Sequence, residues 1–208
     1  MAIGLGITAI VAFWVANSST AQSLIFGNKM VFYGLIIGEL GMVIYLSTRI
    51  ARITSYRATT LFLLYSALNG ATLSAILLIY TATSVASAFI VAAGMFGAMS
   101  IYGTVTKKDL TGMGAFMFMG LIGMIIASVV NIFMGSAMVS WVVSAIGVVV
   151  FTGLTAYDVQ KISKYGAGGI MENGEAAIKK GAIMGALTLY LDFINLFLSL
   201  LRLMGDRR

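Results

Sequence analysis

The sequence has 208 residues, 60% of them hydrophobic and only 10% charged, with a net charge of +6 and a mean hydropathy of +1.02. Soluble domains average about 25% charged residues, so this is the composition of an integral membrane protein: one membrane domain over residues 1–208 and no sizeable soluble domain. It contains no Cys, His or Pro, which excludes disulfides, thiolate and imidazole metal sites, thiol chemistry, the usual pH switch and proline-broken helices.

A hydrocarbon core of about 30 Å takes about 20 apolar residues of helix, and the sequence offers seven such runs. The first, Ala2–Ala16, lacks the basic start of a signal peptide and reads as a retained membrane helix. A loop, NSSTAQ, covers Asn17–Gln22, and the second helix, Met30–Thr48, carries Glu39 near its centre. The third is Thr59–Tyr80 and, after a short TATS turn, the fourth is Val85–Val105. The fifth is Thr111–Met134, and Gly135-Ser136 turns into the sixth, Val139–Ile162. The longest loop, Ser163 to Ala176, is rich in Gly but has no GxxxxGK[ST] pattern, so it does not read as a phosphate-binding loop. The seventh helix runs from Ala177 to Met204. The fold class is therefore all-α, a polytopic membrane protein of seven transmembrane helices, with no convincing internal repeat. Small-xxx-small pairs at Gly34/Gly38 and Gly181/Gly185 predict close helix approach.

The loops after the second, fourth and sixth helices and their flanks hold nine Lys or Arg, and the opposite set holds only Lys29. This bias predicts a cytoplasmic N-terminus in the cell (inner) membrane. It also makes the basic residues topogenic, and no nucleic-acid partner is expected. Seven crossings put the C-terminus outside, where Arg202, Arg207 and Arg208 fit the bias poorly. A re-entrant last helix would return that tail to the cytoplasm.

The seventh helix is apolar with an acid, Asp192, in its middle. At about 100° per residue, Thr188, Asn195, Ser199 and Arg202 fall within about 80° of that acid. An ionised carboxylate at bilayer depth costs about 2.5–3.5 kcal/mol on insertion scales, so Asp192 needs a partner, a proton or a water-filled path. The sixth helix has its own small and polar face, on which Ser144, Gly147 and Thr155 lie within about 60° of Asp158. Polar faces on consecutive helices are expected to meet. Two carboxylates at close range share a proton, which gives a protein without His a way to sense pH. The bland alternative pairs Asp158 with Lys161 at the membrane surface. Glu39 has no partner in its own helix, and Arg202 is the nearest cation by depth. Asn69, Asn131 and Asn195 read as interhelical hydrogen-bonding residues.

Three stretches, TKKDLTGMG, FTGLTAYDVQKI and LYLDFINLFLSLLRLMG, resemble the bacterial branch of the Bax inhibitor, or transmembrane Bax-inhibitor-motif, family. The resemblance covers the whole chain. It implies helices 1–6 around a central C-terminal helix, and a pH-sensitive calcium leak. It puts the family's pH-sensing aspartate pair on Asp158 and Asp192. It also implies a closed-state latch from an arginine near the end of the second helix, for which the spacing permits Arg49 or Arg52. The family's second-helix acid and seventh-helix arginine match Glu39 and Arg202. Two departures stand out: the usual longer polar N-terminus is missing, and the loop between the aspartate motifs is long and Gly-rich.

The residues are compatible with such an ion. Calcium takes 6–8 oxygen ligands, and two or three acids, Asp158 and Asp192 among them, with Thr, Ser, Asn and water would hold it weakly, as conduction requires; Thr188, Asn195 and Ser199 read as pore-lining or paired residues. No cofactor is expected. Calcium is the transported ion, and the partners are the lipid bilayer and other membrane proteins. A rhodopsin needs a Lys in the seventh helix, where this chain has Asp192. A proton-coupled ion transporter and a non-conducting regulator of membrane proteins are the competing readings. No pattern suggests an enzyme.

Overall fold

A computed structural model describes residues 1–50, 52–168 and 175–208, without the side chains of 166–168 and 175–177. The described residues form eight α-helices: α1 (Ala2–Ala16), α2 (Ser19–Phe26), α3 (Lys29–Arg49), α4 (Ser55–Ile79), α5 (Ala82–Val105), α6 (Thr111–Met134), α7 (Ala137–Gly168) and α8 (Glu175–Met204). Among them, the extended pairing is a single bridge between Tyr80 and Arg207. The fold is all-helical because a chain crossing hydrocarbon must satisfy its backbone internally.

Six of these helices are long and apolar enough to cross a membrane, and α1 with α2 makes a seventh if that bent pair is one span. The two meet at 99°. The predicted Asn17–Gln22 loop is thus mostly helix, and the difference has a local cause. Asn17 Nδ2 donates to Phe13 O at 2.8 Å and Ser18 Oγ accepts from Ala21 N at 3.3 Å. One helix end and the next helix start are both capped, and the chain bends between them. A second difference lies at the end of α7, which continues to Gly168 where hydropathy alone stops it at Ile162. The added turns are polar, and polarity does not prevent helix. The rest of the predicted long loop, Gly169–Gly174, lies outside the described residues. α8 runs unbroken through 30 residues. Among the described residues the bent pair of membrane helices is α1 with α2.

The chain divides into two compact units, residues 1–81 with 168–190 and 207–208, and residues 82–167 with 191–206. In the first, α1 lies along α4. The approach is close because Gly70 faces the α1 backbone: a Cβ there would stand 2.6 Å from Thr8 O. Val15, Ala21 and Ile25 bury themselves against Val11, Phe26, Phe32, Leu35 and Ala71, which fixes α2 in place. Tyr190, wholly buried, sets its ring edge against Phe62 and Tyr65, with centroids 5.8 and 5.7 Å away.

In the second unit Phe193 sits between Phe89 and Phe96, at 5.5 and 5.6 Å. Gly103 on α5 meets the backbone of Ala156 on α7, and Gly114 on α6 makes room for the ring of Tyr157. Gly135, at φ 62°, takes the left-handed conformation that ends α6. Large apolar side chains on α3 and α6, among them Ile37, Leu40, Phe116 and Phe133, are exposed. A soluble monomer avoids such surface, and in a bilayer it is the face that meets lipid. Gly34 and Gly38 lie on that exposed side with open space around them, so this pair brings no helices together. The backbone approaches use Gly70, which stands in the series Ser66-xxx-Gly70-xxx-Ser74, and Gly103.

Gly103→Ala is expected to lower stability by about 1–3 kcal/mol through overpacking. Gly34→Ala should leave it unchanged or raise it by up to about 1 kcal/mol, as expected for removing a flexible helix glycine. Thermal unfolding of the purified protein in detergent compares them.

Candidate functional site

The charged and polar groups at membrane depth are few, and the structure gives each a definite setting. Asp192 is buried, only 5% exposed, and Asp158 is half-buried. Their carboxyl groups are close enough to act on each other, and Lys161, one turn along α7, is within electrostatic range of Asp158. The Lys161 ammonium stands 5.7 Å over the Tyr157 ring. Since α7 runs on to Gly168, Asp158 lies almost three turns from the helix end.

Asp192 Oδ2 is buried with no hydrogen-bond partner among the described residues. Two ionised carboxylates are acceptors only and have nothing to offer each other. One proton on either group turns the pair into donor and acceptor.

The hydroxyls on these two helices are arranged alike. On α8, Thr188 donates to Met184 O at 3.1 Å and Ser199 to Asn195 O at 2.7 Å. On α7, Ser144 donates to Ser140 O at 2.8 Å and Thr155 to Phe151 O at 2.7 Å. Each hydroxyl gives its proton to its own helix, which leaves the oxygen free as an acceptor. Asn195 also bonds within its helix, donating to Leu191 O at 2.8 Å. The expected interhelical role of this residue is replaced by a local one. Asn131 on α6 does bond between helices, donating to Ser140 Oγ on α7 at 2.7 Å as well as to Ser136 O in the turn.

Asn69 also bridges helices. Its Nδ2 donates to Glu39 Oε2 at 3.4 Å, and Thr72 Oγ1 donates to Glu39 Oε1 at 2.8 Å. Tyr190 OH donates to Asn69 Oδ1 at 3.1 Å and lies 2.6 Å from Thr8 Oγ1. Arg49 ends α3, Arg52 lies in the turn that follows, and Arg202 is in the last turn of α8. All three arginines are exposed. Among the described residues no cluster of three or more His, Cys, Asp or Glu is placed to hold a metal ion.

The family model described as "Inhibitor of apoptosis-promoting Bax1" matches residues 1–208. The chain belongs to the Bax inhibitor family. It is 52% identical to the Escherichia coli inner membrane protein YbhL over 208 residues, which is 100% of this chain and 88% of that protein. An uncharacterised Borreliella burgdorferi protein is 48% identical over 208 residues, with 100% and 89% covered. A Rickettsia prowazekii protein, also uncharacterised by name, is 46% identical over 211 residues, with 100% and 86% covered.

In this Bax inhibitor family chain the FTGLTAYDVQKI stretch does more than carry an acid. Gln160 is buried, donates to Lys108 O at 2.8 Å and accepts from Leu110 N at 3.0 Å. It ties the TKKDLTGMG turn to α7. One turn on, Lys164 Nζ stands 3.2 Å from Asp109 Oδ1, which also accepts from Thr111 Oγ1 at 2.8 Å. Sequence reasoning singled out neither Gln160 nor Tyr190. Tyr190 was visible as a hydrogen-bonding side chain set in apolar helix, whereas Gln160 stands two residues before the predicted end of its helix.

Asp109 lies outside the membrane helices, and its carboxyl is held below the usual carboxylate range by the Thr111 hydroxyl first and then by Lys164. The sign follows: its grip on Thr111 and Lys164 is intact above the ordinary carboxylate pKa and is lost as pH falls through the lowered value. Carbon-13 NMR of the Asp109 carboxyl should show titration below the normal range, moving back up in Thr111→Val and, by less, in Lys164→Met.

Proposed function

We propose that this protein is a pH-sensitive calcium leak channel of the inner membrane, in which Asp158 and Asp192 share a proton and act as one gate. The single observation that carries the reading is the contact between these two carboxyls, one of them buried and holding an oxygen with no donor. In one protonation state the pair is a proton trap. In the other it is two acceptor groups beside hydroxyl oxygens whose protons are already committed, and such a surface suits a hard cation. With only two acids, such a site holds calcium weakly, and weak binding is what a conducting path needs. Membership of the Bax inhibitor family and the inner-membrane relative in Escherichia coli support the location.

The same reading places the C-terminal helix at the centre of a seven-span bundle. The burial of Leu187, Tyr190, Leu196 and Leu201 on α8 supports this. It assigns the closed-state latch on Asp158 to Arg49 or Arg52, and treats Glu39, Arg202, Thr188, Asn195 and Ser199 as lining or paired residues. The N-terminus is cytoplasmic on the strength of the Lys/Arg bias of the loops.

Calcium flux into dye-loaded liposomes tests the gate. Asp158→Asn and Asp192→Asn should each flatten the pH response, and the double substitution should add little beyond either one. Additive effects, or a pH response that survives both, would place the sensor elsewhere. Saturable flux coupled to a proton gradient would mark a transporter instead, and no flux at all a regulator. Topology has its own test, since the chain holds no native cysteine. In intact cells Lys29→Cys should label from outside, while Lys108→Cys and Lys164→Cys should be protected. The opposite pattern overturns the orientation.

A further inference from the structure

Four side chains form a chain of hydrogen bonds that the aspartate gate does not use. They lie on α3, α4, α8 and α1, within the first unit. Glu39 accepts from Thr72 and Asn69, Asn69 accepts from Tyr190, and Tyr190 meets Thr8. Asn69, Tyr190 and Thr8 are all buried.

Proton counting shows that this chain has two complete arrangements. Tyr190 and Thr8 have one hydroxyl proton each, and an amide has a donor end and an acceptor end. With Glu39 as a carboxylate, every donor points towards it: Thr8 gives its proton to Tyr190, Tyr190 to Asn69 Oδ1, and Asn69 Nδ2 to Glu39. With a proton on Glu39, the direction reverses. The Glu39 hydroxyl then donates to Asn69 Oδ1 after the amide turns over, Asn69 Nδ2 donates to Tyr190 OH, and Tyr190 donates to Thr8. Thr8 must then find another acceptor for its own proton. It has one in place, because Thr8 Oγ1 lies 2.8 Å from Ser66 O. Ser66 Oγ does not compete, since it donates to Phe62 O at 2.9 Å. Thr72 keeps its bond to Glu39 in both arrangements. Turning the amide exchanges atoms of nearly equal size and leaves the packing as it is. The loose joint is the Asn69–Glu39 bond at 3.4 Å, longer than the usual 2.9–3.0 Å for N–H···O. It can shorten when an O–H donor replaces N–H.

We infer that Glu39 is a second proton-binding site, and that Asn69 is a two-way relay reporting its occupancy to Tyr190 on α8 and Thr8 on α1. The titratable groups that face Glu39 are Tyr65 on α4 and Tyr190 on α8. Tyr65 has its ring against Tyr190 and takes no part in the reversal. Tyr190 changes from donor towards Asn69 to acceptor from it, without gaining or losing a proton. This inference does not depend on whether the protein conducts calcium.

Infrared difference spectra of the full-length protein in liposomes, recorded on acidification, read both ends of the relay. The wild type should show a new carboxylic-acid C=O band and a shift of a tyrosine C–O band with the same midpoint. Tyr190→Phe, which keeps the ring packing, should remove the tyrosine shift and so assign it. Glu39→Gln, a near-isosteric change, should remove the tyrosine shift and the part of the acid band that belongs to Glu39. Asn69→Leu should keep the acid band and lose the tyrosine shift. Thr8→Val, should Asn69→Leu fail to fold, should keep the acid band and reduce the tyrosine shift. A tyrosine shift that survives in Glu39→Gln, or no acid band that depends on Glu39, would overturn the inference.

Discussion

The constraint from which the rest follows is the cost of a polar group without a partner in hydrocarbon. α8 carries a carboxyl, a phenol, an amide and several hydroxyls in what is otherwise a Leu, Ile and Phe helix. The structure meets the cost locally wherever it can: the hydroxyls of Thr188 and Ser199 and the amide of Asn195 bond back to their own helix. Tyr190 and Asp192 cannot do that. A phenol stands too far from its own backbone, and a carboxylate has no proton to give. These two residues, neighbours along the same helix, therefore depend on groups from elsewhere in the chain.

The intramembrane acids are met in two chemically different ways. Glu39 is met by neutral donors, a hydroxyl and an amide. Asp192 is met by another acid. Neutral donors suit a carboxylate, while a second carboxyl suits one only when a proton lies between them. On the reading proposed above, a protein without histidine holds protons in two distinct settings at membrane depth. Close helix packing makes both settings possible. Gly70 lets Thr8 come near α4, and Gly103 lets α5 come near α7 at Ala156, two residues from Asp158.

Much of this was legible in the sequence because hydropathy and charge are local signals. The run Thr111–Met134 matches α6 to the residue, since a basic turn and a left-handed Gly135 bound it on either side. The aspartates stood out because an acid in an apolar helix is costly wherever it lies. The end of α7 was not legible: Ser163 and Lys164 read as loop, yet they extend the helix, and Lys164 reaches Asp109 across the turn. The bend between α1 and α2 was hidden because Ser18 and Asn17 signal both a loop and a pair of caps. The glycine pair at 34 and 38 misled, because spacing says which residues share a face and not whether that face meets protein or lipid. The Glu39–Asn69–Tyr190–Thr8 chain joins residues as much as 182 apart in sequence, and no local pattern reaches that far.

The central claim is that Asp158 and Asp192 titrate as one unit. Its most direct test is carbon-13 NMR of both carboxyls in lipid, followed as pH is lowered. The account predicts that each resonance records the same pair of macroscopic steps, and that Asp158→Asn leaves Asp192 with one. Independent single-step curves, with that of Asp192 unchanged in Asp158→Asn, would contradict it.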